Sequence, residues 1–187
     1  MSGAHRAEHV YRDDVPQIAA RLVVPSAQAM RALGRELARL LTDGDLVVLT
    51  GDLGAGKTTL TQGIGAGLGV REDITSPTFV IARVHRPLGR GPSLVHVDAY
   101  RLTSLAEVDD LDLDASLEDS VTVVEWGEGL VEDLATGRLE IVLRRPRGDD
   151  AGGADVAPVD GDEPRTVEMT GFGARWRGVH LPSAPPG

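Results

Sequence analysis

A chain of 187 residues, 41% hydrophobic but only 3% aromatic, fits one domain of about 150 residues plus tails, with a core of Leu, Val, Ile and Ala. Its formal charge of −10 repels phosphate backbones on average, which argues against independent, tight nucleic-acid binding. The absence of cysteine excludes disulfides, thiol catalysis and Cys-ligated zinc; no apolar run approaches the roughly 18 residues of a membrane span, so a cytoplasmic protein is expected.

In chain order, residues 1–18 are polar and read as a flexible tail, and "ARLVV" (20–24) as a short strand. Ser26 is the expected N-cap of a helix whose buried stripe is Met30, Leu33, Leu37, Leu40 and Leu41. "LVVLT" (46–50) is an unbroken apolar run, the pattern of a central strand buried on both faces. A glycine-rich loop follows, then a predicted helix over 57–68. "TFVIARVHR" (78–86) and "LVHVD" (94–98) read as strands around the turn at 87–93. A helix is expected near 104–110, a further core strand at "VTVVEW" (121–126), and another helix over 128–135. "RLEIVLRR" (138–145) and "RTVEMTGF" (165–172) read as a hairpin-like pair. Between them, 146–164 is rich in Gly, Asp and Pro, the composition of a flexible acidic insertion. The expectation is a single domain over 19–176, with 177–187 as a C-terminal tail. Its class is α/β, a mostly parallel sheet flanked by helices with a C-terminal antiparallel strand pair.

Chemistry concentrates at residues 51–58, "GDLGAGKT", which fit G-x-x-x-x-G-K-[ST] between a predicted strand and a predicted helix. Gly51, Gly54 and Gly56 permit a tight turn whose N–H groups, with those of Asp52, Leu53, Ala55 and Thr59, converge on phosphate oxygens. Lys57 is the only lysine in a chain with eighteen arginines. A compact ammonium fits inside a phosphate loop where the wider guanidinium fork does not, so the sole lysine stands where the motif needs it. Lys57 is thus expected to reach the β- and γ-phosphates, and the Thr58 hydroxyl to ligate Mg²⁺.

Two acids end neighbouring apolar strands, Asp98 and Glu125. One is expected to hold Mg²⁺, directly or through water, and the other to orient the attacking water or the Thr58 hydroxyl. "TSPTF" (75–79) stands where a segment sensing the γ-phosphate would sit, with the Thr78 hydroxyl available to it. Trp126 reads as a core residue, although its place beside Glu125 would also suit a nucleotide contact. Among Arg83, Arg86, Arg90 and Arg101, only Arg101, close behind Asp98, stands out as a phosphate partner. Arg144, Arg145 and Arg147 read as a solvated strand end, and His85 and His96 lack metal-ligand spacing. With one lysine there is none left for an Asn-Lys-x-Asp guanine reader, which favours ATP over GTP.

Four blocks in this order, "GDLGAGKTT" (51–59), "SPTF" (76–79), "HVDAYRL" (96–102) and "VVEWGE" (123–128), resemble the TsaE (YjeE) family. The resemblance covers roughly residues 22–145. It implies a small bacterial ATPase needed to make threonylcarbamoyladenosine next to the anticodon of tRNA. It also implies action with the partner proteins TsaD and TsaB, ATP hydrolysis resetting their complex, so that tRNA is met only indirectly. Carried over by position, Lys57 and Thr58 match the phosphate-loop pair and Thr78 the switch threonine. Asp98 matches the essential aspartate, Glu125 the magnesium-associated glutamate and Trp126 the tryptophan after it. Gly127 stands where a proline is common, Ala99 where a larger apolar residue is usual, and the 146–164 insertion is atypical. Two other readings of the phosphate loop are a small-molecule kinase and a nucleotide-gated binding module without turnover.

Overall fold

A computed structural model describes residues 15–70, 74–75, 82–100, 118–145 and 163–185. The strands are β1 (Pro16–Val24), β2 (Leu46–Thr50), β3 (Ala82–His85), β4 (Ser93–Asp98), β5 (Ser120–Glu125), β6 (Arg138–Arg144) and β7 (Arg165–Phe172). The helices are α1 (Ala27–Ala38) and α2 (Lys57–Gly67), with short 3₁₀ turns at Glu132–Leu134 and Ala174–Trp176. The strands form one sheet in the order β1-β7-β6-β2-β5-β4-β3.

The sheet is mixed rather than mostly parallel. Its central strands β6, β2, β5 and β4 run parallel. Antiparallel pairings then extend it, through β7 and β1 on one side and β3 on the other. The expected C-terminal strand pair is therefore present, but as part of this sheet.

Leu46–Leu49 are at most 1% exposed because both faces of β2 are covered. Val47 and Leu49 pack with α1 and α2, whereas Leu46 and Val48 face a smaller apolar cluster containing Val95, Val97, Val124 and Val131. The Ser26 hydroxyl caps α1 by accepting from the Ala29 N–H at 3.1 Å. Met30, Leu33 and Leu37 form the buried stripe of α1, Leu41 is buried just beyond it, and Leu40 is half-buried. The two helices cross closely. A Cβ on Gly34 would lie 2.5 Å from the Leu60 carbonyl oxygen, and one on Gly63 would lie 2.3 Å from that of Arg31.

Three elements differ from the sequence reading. First, β1 reaches back to Pro16, into the expected tail, because β7 offers it a full antiparallel partner. Second, the helix expected over 128–135 is only turns and the 3₁₀ segment. There the Glu132 carboxylate accepts from the Gly129 and Val131 N–H groups at 2.6 and 3.1 Å, so these donors are satisfied locally. Third, the expected C-terminal tail packs Val179 and Leu181 against the core, beside the fully buried Trp176. Arg175 fastens this segment to the start of β2, donating to Asp45 at 2.8 and 2.9 Å and to the Leu40 carbonyl at 2.6 Å. The helix expected at 104–110, Thr78, Arg101 and residues 146–162 lie outside the described residues.

Candidate functional site

The glycine loop joins β2 to α2 and closes over the C-terminal end of the sheet. Gly51 has φ 150°, and a Cβ there would lie 2.4 Å from the Leu143 carbonyl oxygen, so β6 holds the loop tightly on one side. Ala55 is fully buried and its N–H donates to the Asp52 carbonyl at 3.0 Å, anchoring the loop from below. Asp52, Leu53 and Gly54 form its exposed crest, and Gly56 caps α2 at φ 105° without a side-chain partner. No acidic residue occupies the first turn of α2, so its positive end is left for an anion.

The Lys57 ammonium lies inside the loop, donating to the carbonyls of Gly51 at 2.6 Å and Asp52 at 3.0 Å. It also sits 3.8 Å from the centre of the Trp126 ring. Burial pushes its pKa below the ordinary lysine value, opposed by the carboxylates of Glu125, Asp98 and Asp52. One residue on, the Thr58 hydroxyl donates to the Glu125 carboxylate, at 3.0 Å to Oε1 and 3.2 Å to Oε2. Asp98 is the register partner of Glu125 on β4, so the two acids end adjacent strands side by side.

A cavity of about 620 Å³ joins these groups, lined by Lys57, Thr58, Thr59, Asp98, Glu125 and Trp126 together with Leu53, Gly54, Gly56 and Tyr100. Among the described residues no cluster of three His, Asp or Glu side chains is arranged to hold a metal. The donor set instead suits Mg²⁺, which takes one or two protein oxygens and completes its shell with water and phosphate. Thr58 and Glu125 are hard oxygen donors already in contact, and the residues present fit a phosphate-bound magnesium.

The family model described as "Threonylcarbamoyl adenosine biosynthesis protein TsaE" matches residues 24–151. The chain belongs to the TsaE family. A Streptomyces coelicolor protein named tRNA threonylcarbamoyladenosine biosynthesis protein TsaE is 62% identical over 148 residues, covering 79% of this chain and 93% of that protein. A Bacillus subtilis protein of the same name is 36% identical over 147 residues, covering 78% and 82%. The crystal structure of Bacillus subtilis YdiB superimposes with a TM-score of 0.62 at 28% identity, covering 85% of this chain and 89% of that one.

In this TsaE-family fold the sequence-predicted Lys57, Thr58, Asp98 and Glu125 come together. Arg83, Arg86 and Arg90 are exposed and do not line the cavity. Trp126 is not a core residue: it is half-exposed, has φ 63°, and carries its ring onto Lys57 and toward Tyr100, 5.4 Å away between ring centres. That left-handed backbone turns the side chain out of the β5 alternation and into the cavity. Two residues gained no role from the sequence. Arg145 is not merely a solvated strand end, since its Nη2 donates to the Gly54 carbonyl at 3.3 Å. His96 is completely buried, with Nε2 2.8 Å from Glu125 Oε1. The available signal for His96 was its position two residues before Asp98, on the same face of β4 as Leu94 beneath α2.

Proposed function

We propose that this chain is a magnesium-dependent ATPase of tRNA threonylcarbamoyladenosine synthesis, acting in the cytoplasm with TsaD and TsaB to reset their modification complex. The observation that carries this reading is the closed glycine loop around Lys57, with the Thr58 hydroxyl on the Glu125 carboxylate. TsaE family membership and the names of the relatives support the pathway.

Each group then has a task. Lys57 exchanges the Gly51 and Asp52 carbonyls for β- and γ-phosphate oxygens, and the loop amides donate to the same oxygens. Thr58 and Glu125 would hold Mg²⁺, which when bound would neutralise phosphate charge. Asp98, beside Glu125, orients the attacking water. Trp126 covers Lys57 and excludes water from its flank, while Thr78 serves as the switch residue. None of the described residues lining the cavity is an arginine, so among them Lys57 alone offers a cationic side chain to charge developing on the γ-phosphate. Hydrolysis is therefore slow alone and faster when a partner completes or closes the site.

Phosphate release from ATP, measured alone and with the TsaB–TsaD pair, tests this. A low rate that rises with the pair is expected, as is loss of turnover in Lys57→Ala. Wild-type turnover in Lys57→Ala would refute the phosphate assignment. ATP consumption that followed a small metabolite instead of the pair would favour a kinase.

A further inference from the structure

We propose that His96 is a positioning residue for Glu125, fixing the carboxylate in the orientation that meets Thr58 and thereby setting the affinity of the site for magnesium. The inference rests on the nucleotide reading of the site and adds a residue to it.

Glu125 is a carboxylate at 3% exposure, and so loses most of its hydration. Thr58 supplies a single hydroxyl donor, shared between Oε1 and Oε2. One rotatable hydroxyl does not stop the carboxylate from turning, and the Lys57 ammonium attracts its charge without being bonded to it. His96 supplies the second donor. Its Nε2 lies 2.8 Å from Oε1, the length of a charge-assisted bond, and because the carboxylate accepts from Thr58 the ring proton belongs on Nε2.

The surroundings of the ring point the same way. His96 is 0% exposed, and its Nδ1 has no hydrogen-bond partner among the described residues. A histidine kept only to fill the core would be replaced at lower cost by an apolar side chain, since burying an unpaired ring nitrogen is unfavourable. Among the described residues its one polar contact is to Glu125. The strand register fixes that contact: His96 pairs with Val123, two residues before Glu125 on the same face of β5. The imidazole therefore braces the carboxylate from below, on the side away from the cavity. Partners of this kind behind a metal-binding group typically change metal affinity by about 10- to 100-fold when removed.

The test compares wild type with His96→Leu, which keeps bulk without a donor, and His96→Gln, which restores an N–H donor. ADP binding is followed by calorimetry in EDTA and across a Mg²⁺ titration, with thermal melts as the check on folding. His96→Leu is expected to bind ADP normally in EDTA but to need about 10- to 100-fold more Mg²⁺ to tighten it, with His96→Gln recovering most of that loss. Wild-type magnesium dependence in His96→Leu would overturn the inference, as would an equal loss in a folded His96→Gln. Should His96→Leu not fold, nitrogen NMR of the wild-type imidazole decides: the Nε2–H tautomer is expected, and the Nδ1–H tautomer would overturn the contact. Wild-type protein that bound no ADP under any condition would refute the nucleotide reading itself, an outcome distinct from all of these.

Discussion

Lys57 carries a conflict between stability and the phosphate-binding role proposed for it. Its ammonium is buried at 5% exposure, and the desolvation that lowers its pKa outweighs the three carboxylates that raise it. A lysine whose folded pKa lies below its unfolded value binds protons less readily in the native state, so the native state is penalised at pH 7, below the unfolded value. The penalty fades as pH rises through the lowered folded value toward 10.5, the ordinary value. Lys57→Met, similar in length and uncharged, should therefore abolish nucleotide binding yet melt higher than wild type at pH 7. That advantage should shrink as melts are repeated at increasing alkaline pH. A large loss of stability in Lys57→Met at pH 7 would show that the Gly51, Asp52 and Trp126 contacts outweigh desolvation.

At the scale of elements, the aim of the loop depends on how α2 sits against α1. The close approach at Gly34 and Gly63 leaves no room for a methyl group on either helix. Gly34→Ala should force the helices apart and cost about 1–3 kcal/mol, read from denaturant unfolding, with weaker ADP binding because α2 begins at Lys57. A neutral Gly34→Ala would show that the crossing relaxes freely. This scale also separates what the sequence disclosed from what it concealed. The glycine loop was legible because its parts are contiguous: strand, glycines, lysine and helix follow one another along the chain. The two acids were legible because each ends an apolar run. The His96–Glu125 contact was concealed because it depends on which strands pair and in what register. Trp126 was misread because alternation along β5 says nothing of a left-handed residue at its end. The 128–135 segment reads as a helix by composition, and a local competition through the Glu132 carboxylate decides otherwise.

At the scale of the whole molecule, the C-terminal segment is structural rather than a tail. Trp176 is fully buried, Leu181 is 8% exposed, and Arg175 ties the segment back to Asp45. Trp176→Ala should cost about 3–5 kcal/mol in unfolding free energy, since it empties the largest fully buried side-chain volume. A loss below about 1 kcal/mol would mean that the segment is dispensable. The pairing of β1 with β7 joins opposite ends of the chain, from Pro16 with Phe172 to Val24 with Arg165. A polypeptide emerges from the ribosome N-terminus first, so β1 waits unpaired until β7 has been made. The parallel centre, complete once β6 has emerged, is available to form earlier. Sealing the sheet therefore follows formation of its parallel centre, and until it happens both β1 and the outer edge of β6 are open to pairing with neighbouring nascent chains.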